Sequence, residues 1–280
     1  MKAKKQRVDI LLVEKGLVET REKAKRAIMA GLVFSNETRL DKPGEKIEED
    51  SPLRVKGNVM PYVSRGGYKL EKAIKEFHVN VQDKVMVDIG ASTGGFTDCA
   101  LQNGAAFSYA LDVGYNQLAW KLRQDERVKV MERTNFRYVT PADFDQGLPS
   151  LASIDVSFIS LRLILPVLRT ILVQDSDVLM LIKPQFEAGR EQVGKKGIVR
   201  DPKVHEEVLD RIISFSLKEG FDLINLSYSP ITGGDGNIEF LAHLSWKGLE
   251  GHTGVNHLQQ SFRTVVEEAH EVLKQKSDTP

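Results

Sequence analysis

The sequence predicts an α/β fold: a mainly parallel sheet wrapped by helices, its last strand antiparallel, preceded by a small α+β module. Three observations carry this. From Val85 onwards, short apolar runs alternate with segments of helical spacing. The final two runs, Phe221 to Ser229 and Ile238 to Leu244, have no helix between them, which turns the last strand against the rest. The front of the chain differs in texture and charge: the first seventy residues hold sixteen Lys/Arg against ten Asp/Glu, in a chain of 280 residues with 39 of each.

In the front end, Val8, Leu11, Leu12 and Leu17 form an apolar stripe at helical spacing that Gly16 ends, and Thr20 stands as N-cap to a helix from Arg21 to Ala30, closed by Gly31. Leu32 to Phe34 reads as a short strand, Ser35 to Thr38 as a turn, and Leu53 to Val55 as a second strand after the polar stretch Glu45 to Asp50. Arg7, Arg21, Lys23, Lys25 and Arg26 make this module basic, suited to the phosphates of structured RNA. A solvated helix face is the plainer reading of that spacing taken alone. The module is expected over residues 1–57, with a linker at 58–67 containing Pro61, Gly66 and Gly67.

The large domain is expected over residues 68–248. Its helix Tyr68 to Phe77 is followed by strand Val85 to Ile89, helix Phe96 to Asn103, strand Phe107 to Leu111, helix Gln117 to Arg123 and strand Val128 to Met131. Strand Ile154 to Val156, helix Leu161 to Leu172, strand Val178 to Ile182, helix Pro202 to Glu219 and the two closing strands complete it. This is the arrangement of Rossmann-type methyltransferases. In the extension 249–280, Leu258, Phe262, Val265, Val266, Ala269, Val272 and Leu273 recur at helical spacing, as expected of a helix packed back on the large domain.

The loop Asp88-Ile89-Gly90-Ala91-Ser92-Thr93-Gly94-Gly95-Phe96 joins the first large-domain strand directly to a helix, which lets backbone approach a nucleoside ligand. Ser92 holds the place of the middle glycine in Gly-x-Gly-x-x-Gly, which disfavours a dinucleotide. The loop suits S-adenosylmethionine, with Asp88 ordering it or meeting the ligand's amino end. Asp112, about twenty residues beyond, is placed for the ribose hydroxyls, and Asn135 for the adenine side.

Asp155 and Lys183 follow strands at the carboxyl rim, Glu239 opens an antiparallel strand at that same rim, and Lys69 reaches over from the preceding helix. Two lysines and two carboxylates there suit methyl transfer to a hydroxyl, which requires an aligned oxygen and a base for its proton. Lys183 is the expected base, Asp155 and Glu239 orient it and the hydroxyl, and Lys69 steadies developing negative charge. Singly, each reads as a surface ion pair. Arg65, and Arg190, Lys195, Lys196 and Arg200 in a glycine-rich segment beside Lys183, are expected to grip an RNA backbone.

Two resemblances sharpen this. Arg7 to Leu17, Thr20 to Ala24 and Ile28 to Val33 resemble the S4-like RNA-binding module shared by a small-subunit ribosomal protein and pseudouridine synthases, with Asn36-Glu37 where an Asn-Gly turn is usual. Ser64 to Leu70, Asp88 to Phe96, Glu132 to Asn135, Asp155 to Ser160, Lys183 to Glu187 and Gly233 to Glu239 resemble the TlyA family, in which that module is joined to a heat-shock-type (FtsJ-like) methyltransferase. The resemblance implies S-adenosylmethionine-dependent 2′-O-methylation of cytidine in ribosomal RNA, with Lys69, Asp155, Lys183 and Glu239 as its tetrad. Met60-Pro61-Tyr62-Val63 departs from the Arg-x-Trp-Val of mycobacterial members.

One cysteine, Cys99, excludes a disulfide framework and a thiolate-rich zinc site, and the histidines lack ligand spacing; His205-Glu206-Glu207 reads as a solvated helix start. No apolar run approaches the roughly 20 residues of a bilayer span, and no signal peptide is evident. A cytoplasmic protein without metal or membrane partner is expected, acting on ribosomal RNA or ribosomal subunits. The competing readings are another RNA or base acceptor, a membrane-lysing haemolysin, and a non-catalytic ribosome-assembly binder.

Overall fold

A computed structural model describes residues 4–57 and 60–277, apart from the side chains of Asp235 and residues 274–277, and divides the chain into two compact units, Met1–Pro61 and Tyr62–Pro280. Asn58 and Val59 of the expected linker, and the start Met1 to Ala3, lie outside the described residues.

The first unit runs β1 (Lys5–Arg7), α1 (Val8–Glu14), α2 (Arg21–Met29), β2 (Val33–Ser35), β3 (Thr38–Arg39), β4 (Lys46–Glu48) and β5 (Leu53–Val55). Thr20 caps α2 as predicted, its Oγ1 accepting the Lys23 N–H at 3.2 Å. Val8, Leu12, Ala24, Ala27, Ile28, Val33 and Leu40 form the core. Leu17 does not join the stripe: α1 stops at Glu14, and Leu17, beyond the turn, is exposed. Strands β1, β3 and β4 escaped the sequence because each spans two or three largely polar residues; β1 pairs with β4 some forty residues on, and β3 adds only two residues to a tight hairpin with β2.

The second unit contains α3 (Gly66–Glu76), β6 (Val85–Ile89), α4 (Gly95–Gln102), β7 (Phe107–Leu111), α5 (Trp120–Arg123), β8 (Val128–Met131), β9 (Leu151–Ile154), α6 (Leu165–Leu168), β10 (Ser176–Ile182), α7 (Pro184–Glu187), α8 (Pro202–Lys218), β11 (Phe221–Tyr228), β12 (Phe240–Trp246) and α9 (Phe262–Ser277). Its seven-stranded sheet has the order β11-β12-β10-β9-β6-β7-β8, parallel throughout except for β12, which is antiparallel to both neighbours. From β6 the chain lays β7 and β8 on one side, then returns to place β9 on the other. A crevice therefore opens beyond the carboxyl ends of β6 and β9, where sheets of this type hold their ligands.

Local chemistry explains where the elements differ from expectation. The helix expected from Leu161 to Leu172 is a 3₁₀ turn, Leu161–Leu163, followed by the short α6; Pro166 lacks the N–H that a continuous helix needs. Helix α5 is shorter than expected, β9 starts earlier and β12 later, so Asp155 and Glu239 flank their strands. Helix α3 starts at Gly66, two residues earlier than expected, and Tyr62 lies across Gly67 in its first turn, where a Cβ would come 2.3 Å from the tyrosine ring. His205 is not solvated: it is buried against the Val199 carbonyl and His270, at 3.2 and 3.0 Å, and burial pushes its pKa down to about 4. The tail packs back as expected, with Val265, Val266 and Ala269 inside the core. Among the described residues no helix is long and apolar enough to cross a membrane.

Candidate active site

A cleft of about 750 Å³ occupies the carboxyl rim, within the range of small-molecule sites. Its floor is the loop after β6. Gly90 has φ +85, and a Cβ there would lie 2.5 Å from the Asp155 carbonyl oxygen, so only glycine lets this loop rest against the end of β9. The N–H groups of Gly90 and Ala91 donate to the Leu111 carbonyl at 2.9 and 3.0 Å, and the Ser92 N–H donates to Asp112 at 2.8 Å. Gly90, Ser92, Gly95 and Phe96 line the cleft. Bare backbone at the floor and the N-terminus of α4, whose first N–H groups have no intrahelical acceptor, fit the amino-acid end of S-adenosylmethionine.

Four charged side chains from four segments meet over this floor. Lys69 Nζ lies 2.7 Å from Glu239 Oε2 and 3.8 Å from Asp155 Oδ2, while Lys183 Nζ lies 2.5 Å from Asp155 Oδ1. Lys69, Lys183 and Glu239 are buried. Burial acts against the charge on Lys69, but the carboxylates of Asp155 and Glu239 outweigh it and raise its pKa above the ordinary lysine value. Two neighbours that the sequence did not single out complete the set. Ser157 Oγ lies 3.2 Å from Lys183 Nζ, and the Gln185 amide donates to Glu239 Oε1 at 3.1 Å. The buried Gln185 Oε1 has no hydrogen-bond partner.

Other candidates stand elsewhere. Asp88 does not line the cleft: it is fully buried beneath the loop, accepting from the Thr97 N–H and hydroxyl at 3.0 and 2.8 Å and from Ser153 at 2.8 Å. Burial pushes its pKa up to about 6 despite those donors. Its part is to order the loop. Gly94 N-caps α4 and packs against Leu118 and Leu122. Asp112 stays partly exposed beside the loop, engaged by the Ser92 and Gly114 N–H groups. Asn135 caps a 3₁₀ turn, accepting the Arg137 N–H at 3.2 Å. Phe158, also missed, is 90% exposed at the cleft with φ +63, a rare conformation for a bulky residue, and its ring centroid lies 4.8 Å from that of Phe186. An aromatic in the short mixed run Val156-Ser157-Phe158-Ile159 gives no periodic signal.

The basic candidates divide into two kinds. In the first unit most are paired: Arg7 and Arg21 share the buried Asp9 at 2.9 and 3.0 Å, Lys23 meets Glu19, Lys25 meets Glu22, and Arg26 donates to the Pro61 carbonyl. The Arg7 hydrogen bond, helped by Arg21 and opposed by burial, holds the Asp9 pKa down to about 2. In the second unit Arg65, Arg190, Lys195, Lys196 and Arg200 are exposed and form no ion pair with another described residue. Arg65 and Lys196 line the cleft. Asn237 fastens their segment by accepting the Val199 N–H at 3.1 Å and donating to the Gly197 carbonyl at 3.0 Å.

The FtsJ-like methyltransferase family matches residues 62–246 and the S4 domain residues 6–51. The chain is 72% identical over 281 residues to YqxC of Bacillus subtilis (strain 168), named as a candidate rRNA methyltransferase, with 100% of both chains covered. It is 40% identical over 257 residues to the 16S/23S rRNA (cytidine-2′-O)-methyltransferase TlyA of Mycobacterium tuberculosis (strain ATCC 25618 / H37Rv), covering 89% of this chain and 96% of that one. A solved structure from Streptococcus thermophilus, described as a candidate hemolysin, superposes with a TM-score of 0.77 at 55% identity, covering 98% of this chain and 99% of the other.

Proposed function

Because the chain belongs to the TlyA family of FtsJ-like methyltransferases that carry an S4 domain, we propose that it methylates the ribose 2′-hydroxyl of a cytidine in ribosomal RNA, with Lys183 as the base. The supporting observation is the meeting of two ammonium and two carboxylate groups at the mouth of the glycine loop. S-adenosylmethionine, the methyl donor of the family, supplies a methyl carbon already activated by its sulfonium. The protein is left with the acceptor: aligning the oxygen and removing its proton.

Lys183 takes that proton. Asp155, in contact with both lysines, orients Lys183, and Lys69, held by Glu239 and kept charged, faces the oxygen as negative charge develops. Gln185 and Ser157 fix Glu239 and Lys183. To act as base, Lys183 must have given up its own proton before the methyl is transferred. Gly90, Ser92, Gly95 and Phe96 receive the methionine portion, with Asp88 beneath them, and Asp112 the ribose; Asn135 stands towards the adenine side.

The RNA is gripped through phosphates by Arg65, Arg190, Lys195, Lys196 and Arg200, and by Arg7, Arg21, Lys23, Lys25 and Arg26 of the front module. In this reading the S4-like module comprises 1–57, the linker 58–67, the catalytic domain 68–248 and the helical extension 249–280. A ribosomal substrate places the protein in the cytoplasm, on RNA or assembled subunits. The test supplies labelled S-adenosylmethionine to unmodified ribosomal subunits and maps the label by resistance of the adjacent phosphodiester to alkali. Label on a cytidine 2′-oxygen is expected; label on a base would overturn the reading.

A further inference from the structure

The segments that leave β7 and β8 at the carboxyl rim carry a group of side chains that the transfer reaction does not use. Val113, Tyr115, Trp120 and Tyr138 are 71%, 64%, 71% and 74% exposed. Two guanidinium groups lie on these rings: Arg133 Cζ is 4.0 Å from the Tyr115 centroid and Arg137 Cζ is 5.4 Å from that of Tyr138. Neither arginine forms an ion pair with another described residue, whereas Arg123 and Arg127 nearby are each bound to a carboxylate. Exposed rings are costly to keep in water, and the arginines on them retain their full charge.

The surface is rigid. The Arg133 N–H donates to the Gly114 carbonyl at 2.9 Å and the Thr134 N–H to the Asp112 carbonyl at 3.0 Å, which clamps the two segments together. Glu132 accepts the N–H groups of Asn116 and Gln117 at 2.9 and 3.0 Å and that of Leu118 at 3.3 Å, and binds Arg123. The Ala119 N–H donates to the Thr93 carbonyl at 3.0 Å, tying the segment to the glycine loop. The backbone that carries Tyr115 and Trp120 is therefore fixed before anything stacks on it.

We propose that this rim is a base-stacking platform for unpaired nucleotides of the RNA substrate, adjacent to the catalytic cleft and separate from the basic segments already described. Aromatic rings backed by guanidinium planes match nucleobases, whose faces stack on either, while the unpaired charge suits the flanking phosphates. A protein partner would find apolar area here, but the two unpaired arginines favour a polyanion. The proposal rests on RNA being the substrate.

The test uses the full-length protein and measures affinity for a short single-stranded oligoribonucleotide, for a duplex of the same length and for S-adenosylmethionine. Tyr115→Ala should weaken single-strand binding about tenfold, Tyr115→Trp should restore it, and Arg133→Gln should lower the salt dependence by about one phosphate contact. Affinity for S-adenosylmethionine should stay within about twofold. Quenching of Trp120 emission by the oligonucleotide, absent in Trp120→Phe, would report stacking directly. If Tyr115→Ala lost cofactor affinity and kept that for RNA, the ring would belong to the adenosine site and the proposal would fall. Tight binding of a ribosomal protein, with RNA binding indifferent to these substitutions, would also overturn it. Variants that bind RNA as wild type does, in an enzyme that methylates RNA, remove only the platform; a wild type that neither binds nor methylates RNA removes the function as well.

Discussion

Both ends of β10 carry a cluster of partly or fully buried charges, and the two clusters differ in access. At the start of the strand Asp177 binds Lys84 through one oxygen and His243 through the other, the latter at 2.8 Å, with His243 stacked on Phe77. Burial opposes the charge of Asp177, but His243 and Lys84 outweigh it and lower its pKa. Just past the end, Lys183 meets Asp155, which also faces Lys69, and Lys69 in turn binds Glu239. Each Asp177 oxygen is engaged, and Asp177 does not line the cleft at the carboxyl rim. The second cluster borders the cleft, with a buried amide oxygen left unpaired. Buried charge by itself marks stability as readily as chemistry; access and unmet hydrogen-bonding capacity separate the two.

Substitutions at each end test that separation. Lys69→Met removes the ammonium that faces the acceptor and leaves the buried Glu239 with only Gln185. Single-turnover methyl transfer should fall about 100-fold. A fall confined to KM for RNA would instead make Lys69 a binding residue. At the other end, Asp177→Ala should cost about 3 kcal/mol in urea unfolding, because the Lys84 ammonium and the His243 ring both lose the carboxylate that engages them. Its kcat per folded molecule should not change. A large loss of kcat with unaltered stability would erase the difference between the clusters.

The cluster at the cleft was the more legible in sequence. Strands β6, β7 and β8 match their expected limits because polar residues or glycine and alanine bound their apolar runs, and chemistry-bearing residues just past strand ends fall on one rim by topology alone. Asp155 and Glu239 converge although β9 and β12 have other limits than expected, since a shift of one or two residues leaves them at the same rim. The structural cluster was invisible: Lys84 precedes β6, Asp177 opens β10 and His243 lies in the middle of β12, and no motif directs attention to any of them. Ser157, Gln185 and Glu132 were passed over for a related reason. Their roles depend on which groups tertiary packing leaves beside them: the Lys183 ammonium, the Glu239 carboxylate and the N–H groups after β7, respectively.

Glu132 gives the smallest of the expected effects. Burial works against its charge, yet the N–H groups of Asn116, Gln117 and Leu118, together with Arg123, hold its pKa down to about 2. A depressed carboxylate pKa stabilises the fold fully above the ordinary range and loses that contribution as pH falls towards the folded value. Glu132→Gln should thus unfold about 2 kcal/mol more easily above roughly pH 5, with the gap to wild type narrowing towards pH 2. A gap independent of pH would show that the side chain's shape, not its charge, holds the segment after β7.

The most direct measurement is single-turnover methyl transfer to unmodified ribosomal RNA by Lys183→Ala, with S-adenosylmethionine affinity followed by calorimetry. If Lys183 is the base, transfer falls at least about 100-fold while cofactor binding and melting temperature stay near wild type. Undiminished transfer by a folded, cofactor-binding Lys183→Ala would contradict the account.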